Sequence, residues 1–344
     1  MSKPRVLIVA TGGTIASAEE GSGLTPQLTG DELAGYVPEI AQLADVDVVQ
    51  VMNIDSTNMR PADWQAIGDA ILTSYEDYDG FVVLHGTDTM AYTAAALSYL
   101  IQGSPKPIVL TGSQQPMANP FTDAKLNLYQ SLLYALDDAS RDVCVVFGGD
   151  VICGTRARKQ RTMSFNAFTS MNMPPLACIR NNRIVRPGTL PAAHALPAQD
   201  DARPADDRPR LFDTLDERVI VIRLTPELGP SVLDLLARDY DAVVLETFGI
   251  GGIPDYDGGW HAAISRWVES GRIVVVTTQV PEEGLDLGVY EVGRAYANMG
   301  GVLAAGDMTV EAIVAKTMWA LGQTRDQARV AKLFAHPVNN DRTA

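Results

Sequence analysis

The sequence predicts an α/β protein: a parallel-sheet amino-terminal domain followed by a smaller α/β carboxy-terminal domain. Three observations predict it: short β-branched runs that are mostly apolar at every position, helical stretches alternating with them, and one Pro- and Asp-rich interval that divides the series. A strand covered on both faces of a parallel sheet has no solvent side, so it reads as a continuous apolar run. Strand and helix in alternation then give the α/β class.

The first such run is Val6 to Ala10, followed by Val46 to Met52, Phe81 to Leu84, Ile108 to Leu110 and Val143 to Phe147. Between them, helices are expected over Pro61 to Tyr78, Met90 to Ile101 and Asp123 to Leu136. In the last, Leu126, Leu128, Leu132, Leu133 and Leu136 form an apolar stripe with polar residues on the other face. From Pro187 to Arg210 the alternation stops, and Pro, Ala, Asp and Arg dominate, which reads as a linker. A second series follows, with strands near Val219 to Leu224, Ala242 to Glu246 and Ile273 to Thr277. Its helices are expected near Ser231 to Arg238, Trp260 to Ser270, Val310 to Leu321 and Gln327 to Phe334. The domain reading is therefore residues 1–186 for the amino-terminal α/β domain, 187–210 for the linker and 211–344 for the carboxy-terminal α/β domain.

Composition limits the function. The chain has 344 residues, 46% of them hydrophobic, enough for a substantial buried core. Its formal net charge of −15 repels phosphate backbones and anionic membrane surfaces, so neither nucleic acid nor membrane is an expected partner. The run Val6 to Ala10 is too short for a signal-peptide core, and no run approaches the ~18 apolar residues of a membrane span. Cys144, Cys153 and Cys178 lack zinc-type pairing and read as reduced thiols, which points to the cytoplasm.

Ligands of open parallel sheets bind beyond the carboxyl ends of the strands. In this sequence those ends are rich in hydroxyls: Thr11-Gly12-Gly13-Thr14, Asn53-Ile54-Asp55-Ser56-Thr57, His85-Gly86-Thr87-Asp88-Thr89 and Thr111-Gly112-Ser113. Such residues commonly cap the next helix or turn, and for Thr89 and Thr111 capping is the preferred reading. For Thr14 and the pair Thr87-Asp88, capping and a shared site remain open alternatives. His85, entering a turn, reads as structural more readily than as a base. Lys159, beside Arg156 and Arg158, reads on its own as part of a solvated basic segment.

Other chemistries fall away. Thr11 to Ala16 has neither a P-loop ending nor a dinucleotide glycine pattern. The four histidines have no ligand spacing, so no metal is expected, and there is no Gly-x-Ser-x-Gly elbow. Asp255-Tyr256-Asp257-Gly258 is read as a turn, since it lacks the other ligands of a calcium loop.

At these residues the sequence resembles the bacterial-type asparaginase family, in particular its cytoplasmic type I branch. Both family signatures are present, as Ala10-Thr-Gly-Gly-Thr-Ile-Ala16 and Leu84-His-Gly-Thr-Asp-Thr-Met90. Asn53 to Met59, Gly112 to Gln114, Gly154 to Lys159, Phe165 to Phe168 and Ala305 to Thr309 match further along, in family order over nearly the whole chain. The resemblance implies a cofactor-free enzyme that hydrolyses the side-chain amide of L-asparagine to aspartate and ammonia through a threonine ester. It makes Thr14 the nucleophile and Thr87 the second catalytic threonine, with Asp88 and Lys159 in a proton-relaying cluster. Asp55, Ser56, Thr57 and Asp88 would hold the substrate's amino-acid head, and the backbone around Ser113 would face the amide. Backbone N–H groups near Gly86 and Thr87 would stabilise the oxyanion, a contribution worth ~3 kcal/mol per donor. A homodimer or homotetramer is also implied.

The chemistry agrees with that assignment, because a threonine hydroxyl is a weak nucleophile until a positioned base activates it. Weaker glutamine hydrolysis is allowed, since one methylene is worth only ~1 to 3 kcal/mol of discrimination. One departure concerns the tyrosine that the family carries in the loop after its first threonine. Ser17 to Gly35 contains none; Leu24 occupies that place, and Tyr36 is the nearest tyrosine that follows. Positions corresponding to an effector pocket in some type I relatives carry Arg158, Glu246 and Val280, so allosteric control is not implied. Two other readings are the glutaminase-like subunit of a tRNA-dependent amidotransferase and a silent amino-acid sensor. The first is ranked low because that subunit has an extra domain ahead of its first signature, and the second because Thr14, Thr87, Asp88 and Lys159 are all present.

Overall fold

The computed structural model describes residues 3–13, 35–187, 208–288, 295–296 and 298–343. The chain divides into two compact units, Met1–Asp213 and Thr214–Ala344.

The first unit runs β1 (Arg5–Gly12), α1 (Ile40–Leu43), β2 (Asp45–Ile54), α2 (Pro61–Thr73), β3 (Gly80–Leu84), α3 (Met90–Leu100), β4 (Ile101–Gln102), β5 (Ile108–Thr111) and α4 (Ala124–Ala135). It continues with β6 (Val143–Phe147), β7 (Asp150–Cys153), β8 (Ala157–Lys159), β9 (Phe168–Ser170), β10 (Ala177–Arg180), β11 (Arg183–Val185) and β12 (Arg210–Leu211). Eight of these strands form one sheet in the order β11-β10-β7-β6-β5-β3-β1-β2. The five from β6 to β2 are parallel, and β7, β10 and β11 extend the sheet by antiparallel pairing. Strands β3, β5 and β6 are buried at every residue, as continuous apolar runs require, whereas β2 at the edge is only partly buried.

Helix α4 shows why its stripe differs from the simple leucine pattern. Leu128 and Leu132 are buried and Leu133 and Leu136 half-buried, but Leu126 is exposed. Asn127, Gln130 and Ser131 take inward places instead. Asn127 is turned in because its amide binds backbone on two strand ends: Nδ2 donates to the Gly112 carbonyl at 3.0 Å, and Oδ1 accepts from the Gly148 N–H at 3.0 Å. Helix α2 also ends earlier than its periodicity predicts, and a short 3₁₀ turn, Tyr75–Asp77, follows.

Most of the interval expected as a linker, 188–207, lies outside the described residues. At its far end Arg208 pairs with Glu76, and Arg210 and Leu211 form β12 against β4, so these residues belong to the first unit.

The second unit consists of β13 (Val219–Arg223), α5 (Val232–Leu236), β14 (Ala242–Thr247), α6 (Gly259–Glu269), β15 (Ile273–Thr278), β16 (Val302–Ala304), α7 (Val310–Gln323) and α8 (Gln327–Ala335). Its four strands form a parallel sheet in the order β13-β14-β15-β16. Trp260, Ile264 and Trp267 of α6 sit at helical spacing and bury one face against Val243, Leu245, Val274 and Val276. The chain is thus mixed α/β, with a large parallel-rich sheet in the first unit and a smaller sheet in the second.

Candidate active site

The candidate site is assembled at the carboxyl ends of β1, β2, β3 and β5, with β8 supplying one further side chain. Backbone contact brings the first three ends together. β1 finishes with a register shift beside Ile54, and Gly13 has a left-handed φ of +81°. A side chain at Gly13 would lie 2.5 Å from the Gly86 nitrogen and Cα, so only glycine permits this approach. On the other side of the same loop, a side chain at Gly86 would meet Ser56 Oγ at 2.6 Å. The glycines of both signature segments therefore allow the loop after β1 and the turn after β2 to press against the loop after β3.

The chemistry-bearing group is a three-residue cluster. Lys159 Nζ donates to Thr87 Oγ1 at 2.7 Å and to Asp88 Oδ1 at 2.7 Å. Thr87 is buried and Lys159 largely so, while Asp88 keeps one side toward solvent. Thr87 Oγ1 in turn donates to Gln114 Oε1, a long contact of 3.4 Å. Lys159 is held by the hairpin of β8 and β9, where it pairs in register with Phe168, which packs on Phe147 at the end of β6. The basic segment is therefore not uniformly solvated; this hairpin turns one lysine inward.

Asp55 starts a 3₁₀ turn, Ser56–Asn58, after β2, and its Oδ1 accepts from both the N–H and the hydroxyl of Thr57, at 2.9 and 3.0 Å. Ser56 is buried against Gly86, and its carbonyl accepts from Thr89 Oγ1 at 2.7 Å. Ser113 is buried and its hydroxyl donates to the Gln115 carbonyl at 2.6 Å, which leaves the backbone of that loop, not the Ser113 side chain, as what it can offer. The described geometry thus joins Ser56, Gly86, Thr87, Asp88 and Lys159 through direct contacts. Asp55 and Thr57 stand on the adjoining turn, bonded to each other.

The remaining hydroxyls are committed to backbone. Thr11 donates to the Leu84 carbonyl at 2.9 Å and Thr111 to the Val146 carbonyl at 2.8 Å, each bracing neighbouring strands. Thr89 and Thr111 are thus bracing residues, though neither caps a helix with its side chain. His85 is wholly buried, with Nδ1 at 2.7 Å from the Gly86 carbonyl and Nε2 at 2.8 Å from Thr93 Oγ1. Burial pushes its pKa down to about 4, against a smaller opposing effect of the bond to Gly86. Its imidazole is therefore neutral near pH 7. A carbonyl only accepts, so Nδ1 carries the hydrogen and Nε2 accepts from Thr93. That makes His85 a brace for the Gly86 carbonyl and not a base.

Thr14, with Ser17 to Asp31 and Leu24 among them, falls in 14–34, outside the described residues. Tyr36 is half-buried and packs on the hydrophobic cluster that contains Val37, Ile40 and Leu132. Sequence reasoning missed Gln114, Asp123 and Asn127 as parts of this framework. The signal that could have found them was the four-residue spacing of Asp123 and Asn127 at the start of a predicted helix, which puts both side chains on one face toward the preceding strand end.

Similarity to known proteins extends over both units. Residues 5–189 match the family described as "Asparaginase, N-terminal", and residues 218–334 match "Glutaminase/Asparaginase C-terminal domain". The L-asparaginase of Thermococcus kodakarensis is 39% identical over 98% of this chain and 99% of its own length. The solved structure of a thermostable L-asparaginase from that organism superposes with a TM-score of 0.87, at 37% identity, covering 99% of both chains. L-asparaginase I of Vibrio cholerae superposes with a TM-score of 0.86 at 30% identity, over 100% of both chains. A glutamyl-tRNA(Gln) amidotransferase component from Pyrococcus abyssi is 34% identical over 96% of this chain and 75% of its own length.

Proposed function

The chain belongs to the asparaginase family, and from that premise we propose that it is an L-asparaginase using threonine chemistry. The observation that carries the reading is the cluster in which Lys159 Nζ lies 2.7 Å from both Thr87 Oγ1 and Asp88 Oδ1, beside the glycine-packed loops. It gives a hydroxyl, a cation and a carboxylate in direct contact at the edge where a parallel sheet presents ligands. The L-asparaginases among the relatives then favour asparagine as the substrate.

In the proposed reaction the Thr14 hydroxyl attacks the side-chain carbonyl of asparagine. The proton it gives up is carried to the departing nitrogen, the C–N bond breaks and ammonia leaves. A water molecule, with Thr87, Lys159 and Asp88 handling its proton, then attacks the threonine ester; aspartate departs and the Thr14 hydroxyl is restored. Asp55, Ser56, Thr57 and Asp88 hold the substrate's ammonium and carboxylate, since an acid suits the first and hydroxyl or N–H donors suit the second. Gly86 and the backbone around Ser113 supply the surface facing the amide and its oxyanion. Glutamine is the expected minor substrate, because a single methylene separates the two amides. The amino-terminal unit holds these groups, the protein acts as a homodimer or homotetramer, and it resides in the cytoplasm, where the free thiols of Cys144, Cys153 and Cys178 stay reduced.

Ammonia release from asparagine and glutamine by the wild type, Thr14→Ala and Lys159→Met tests this reading. Release by the wild type, fastest with asparagine and lost in both variants, supports it. Binding of asparagine without turnover would instead favour an amino-acid sensor.

A further inference from the structure

We propose that Gln114 is a positioning residue that sets the direction of the Thr87 hydroxyl hydrogen, an inference that rests on the reading of Thr87 as a working hydroxyl. Thr87 Oγ1 receives a hydrogen bond from Lys159 Nζ at 2.7 Å. Its single hydrogen cannot point back at that donor and needs an acceptor elsewhere. Among the described residues, Gln114 Oε1, at 3.4 Å, is the acceptor it meets. The contact is long for a hydroxyl hydrogen bond, and its direction rests on which groups around it can accept.

The orientation of the Gln114 amide is decided from its other end. Gln114 Nε2 donates to the Ser164 carbonyl at 3.3 Å. A carbonyl can only accept, so the amide nitrogen faces Ser164 and its oxygen faces Thr87. The reversed amide would set two oxygens against each other at Ser164 and aim a second donor at Thr87.

The main chain of Gln114 is fixed as firmly. Both oxygens of the buried Asp123 carboxylate lie 3.0 Å from the Gln114 nitrogen, and Oδ1 also accepts from the Gln115 N–H at 3.1 Å. Asn127, one turn further along α4, donates to Asp123 Oδ2 at 3.2 Å and to the Gly112 carbonyl at 3.0 Å. A carboxylate that accepts several N–H groups holds a loop with charge-assisted bonds. The first turn of α4 thereby fixes the loop after β5, the loop fixes Gln114, and Gln114 fixes the Thr87 hydroxyl.

The consequence is chemical. With one lone pair of Thr87 Oγ1 taken by Lys159 and its hydrogen sent to Gln114, the remaining lone pair is free to accept. Thr87 is thus prepared to receive a hydrogen from the attacking group or from water, and not to donate one to the substrate. Removing the Gln114 acceptor lets the hydroxyl rotate and spend part of its time in the unproductive sense.

The test pairs Gln114→Met, which keeps length but loses the acceptor, with Gln114→Glu, which keeps an acceptor toward Thr87 but gives up the donor to the Ser164 carbonyl. Gln114→Met is expected to lower kcat about 10- to 100-fold with KM little changed, and Gln114→Glu to recover part of the loss. In a Thr87→Ala background the same Gln114→Met change is expected to have no further effect, because its route runs through Thr87. Equal losses in both backgrounds, or an unchanged kcat, would overturn the assignment. A neutron structure of the deuterated wild type provides a readout independent of activity and of variant folding: a deuterium on Thr87 Oγ1 directed at Gln114 Oε1 supports the inference, and one directed elsewhere refutes it. If Thr87→Ala retains wild-type turnover, the reading of Thr87 fails on its own, and the neutron result still decides what orients its hydroxyl.

Discussion

Each unit contains a close lysine–aspartate pair, and the two are built for opposite ends. Lys159 and Asp88 meet at 2.7 Å at a strand edge, with 57% of the Asp88 side chain open to solvent, and the lysine's second partner is a side-chain hydroxyl. Lys316 and Asp341 meet at 2.5 Å with both side chains fully enclosed, and the lysine also donates to the His336 carbonyl. Burial pushes the Lys316 pKa down to about 8, with Asp341 pulling the other way, so it still carries its proton at pH 7. The first pair, open to solvent on the Asp88 side, can change partners without exposing a stranded charge. The second cannot, and ties the carboxyl-terminal segment to α7.

Hydroxyls at the two sheet edges show the same division. At the end of the second sheet, Thr247 Oγ1 donates to the Thr277 carbonyl at 2.7 Å and Thr278 Oγ1 to the Gly249 carbonyl. Gln279 Nε2 is spent on two carbonyls, those of Leu224 and Glu246, and the Glu246 carboxylate is held by Arg223. The Thr87 hydroxyl differs in meeting two side chains, Lys159 and Gln114. A polar strand end is therefore a weak pointer to a site. The stronger one is a hydroxyl whose partners are ionisable or reorientable side chains instead of its own backbone.

Substitutions can break this contrast, beginning where the expected effect is largest. Lys159→Met is expected to cost about 10²–10⁴-fold in kcat/KM while leaving unfolding in urea nearly unchanged, because general acid–base groups at half-open sites contribute mainly to rate. Lys316→Met is expected to do the reverse. It takes the nearest cation from the buried Asp341 carboxylate, leaving Arg342 Nε at 3.8 Å, and should destabilise by about 3–5 kcal/mol, whereas the double variant Lys316→Met/Asp341→Leu recovers most of that in chemical denaturation. Similar stability losses for the two single variants would erase the distinction.

A pH test sharpens the role of buried polar groups in the first unit. The His85 pKa, lowered from 6.5 to about 4 in the folded protein, means the unfolded chain binds an extra proton between those values. The neutral histidine's contribution is therefore complete above pH 6.5 and is lost as pH falls toward 4, about 3 kcal/mol in all. Urea unfolding of the wild type and His85→Gln across this window should show the wild type losing stability faster; parallel curves would mean that His85 is not held neutral. The smallest effect is expected at the second sheet edge. Thr247→Val should cost about 1 kcal/mol of stability and leave turnover within about twofold, as measured by melting and ammonia release.

Much of this arrangement was legible in the sequence, for reasons that particular residues make plain. Phe81 to Leu84 and Val143 to Phe147 read as buried strands because every position is apolar, and both are strands. Thr87 and Asp88 stood out as glycine-flanked polar residues at a strand mouth, with capping as the competing use, and the family signature around them favoured a site. The short antiparallel strands β7 to β11 were not legible: runs of three or four residues, several half exposed, carry too little periodicity. Since β8 carries Lys159, its inward turn was hidden from any reading of the local basic segment. Leu126 misled for a related reason, because helical spacing cannot show that Asn127 has a better claim on the inner face through backbone carbonyls and amides on other strands.

The most direct measurement of the threonine mechanism is acid-quench peptide mapping of the Thr87→Val protein mixed with asparagine. If Thr87 serves the water step after Thr14 has been acylated, removing its hydroxyl stalls the ester, and mass spectrometry should locate an aspartyl group on the peptide containing Thr14. An aspartyl group found on another residue, or a variant that turns over as fast as the wild type with no adduct at all, would contradict the mechanism.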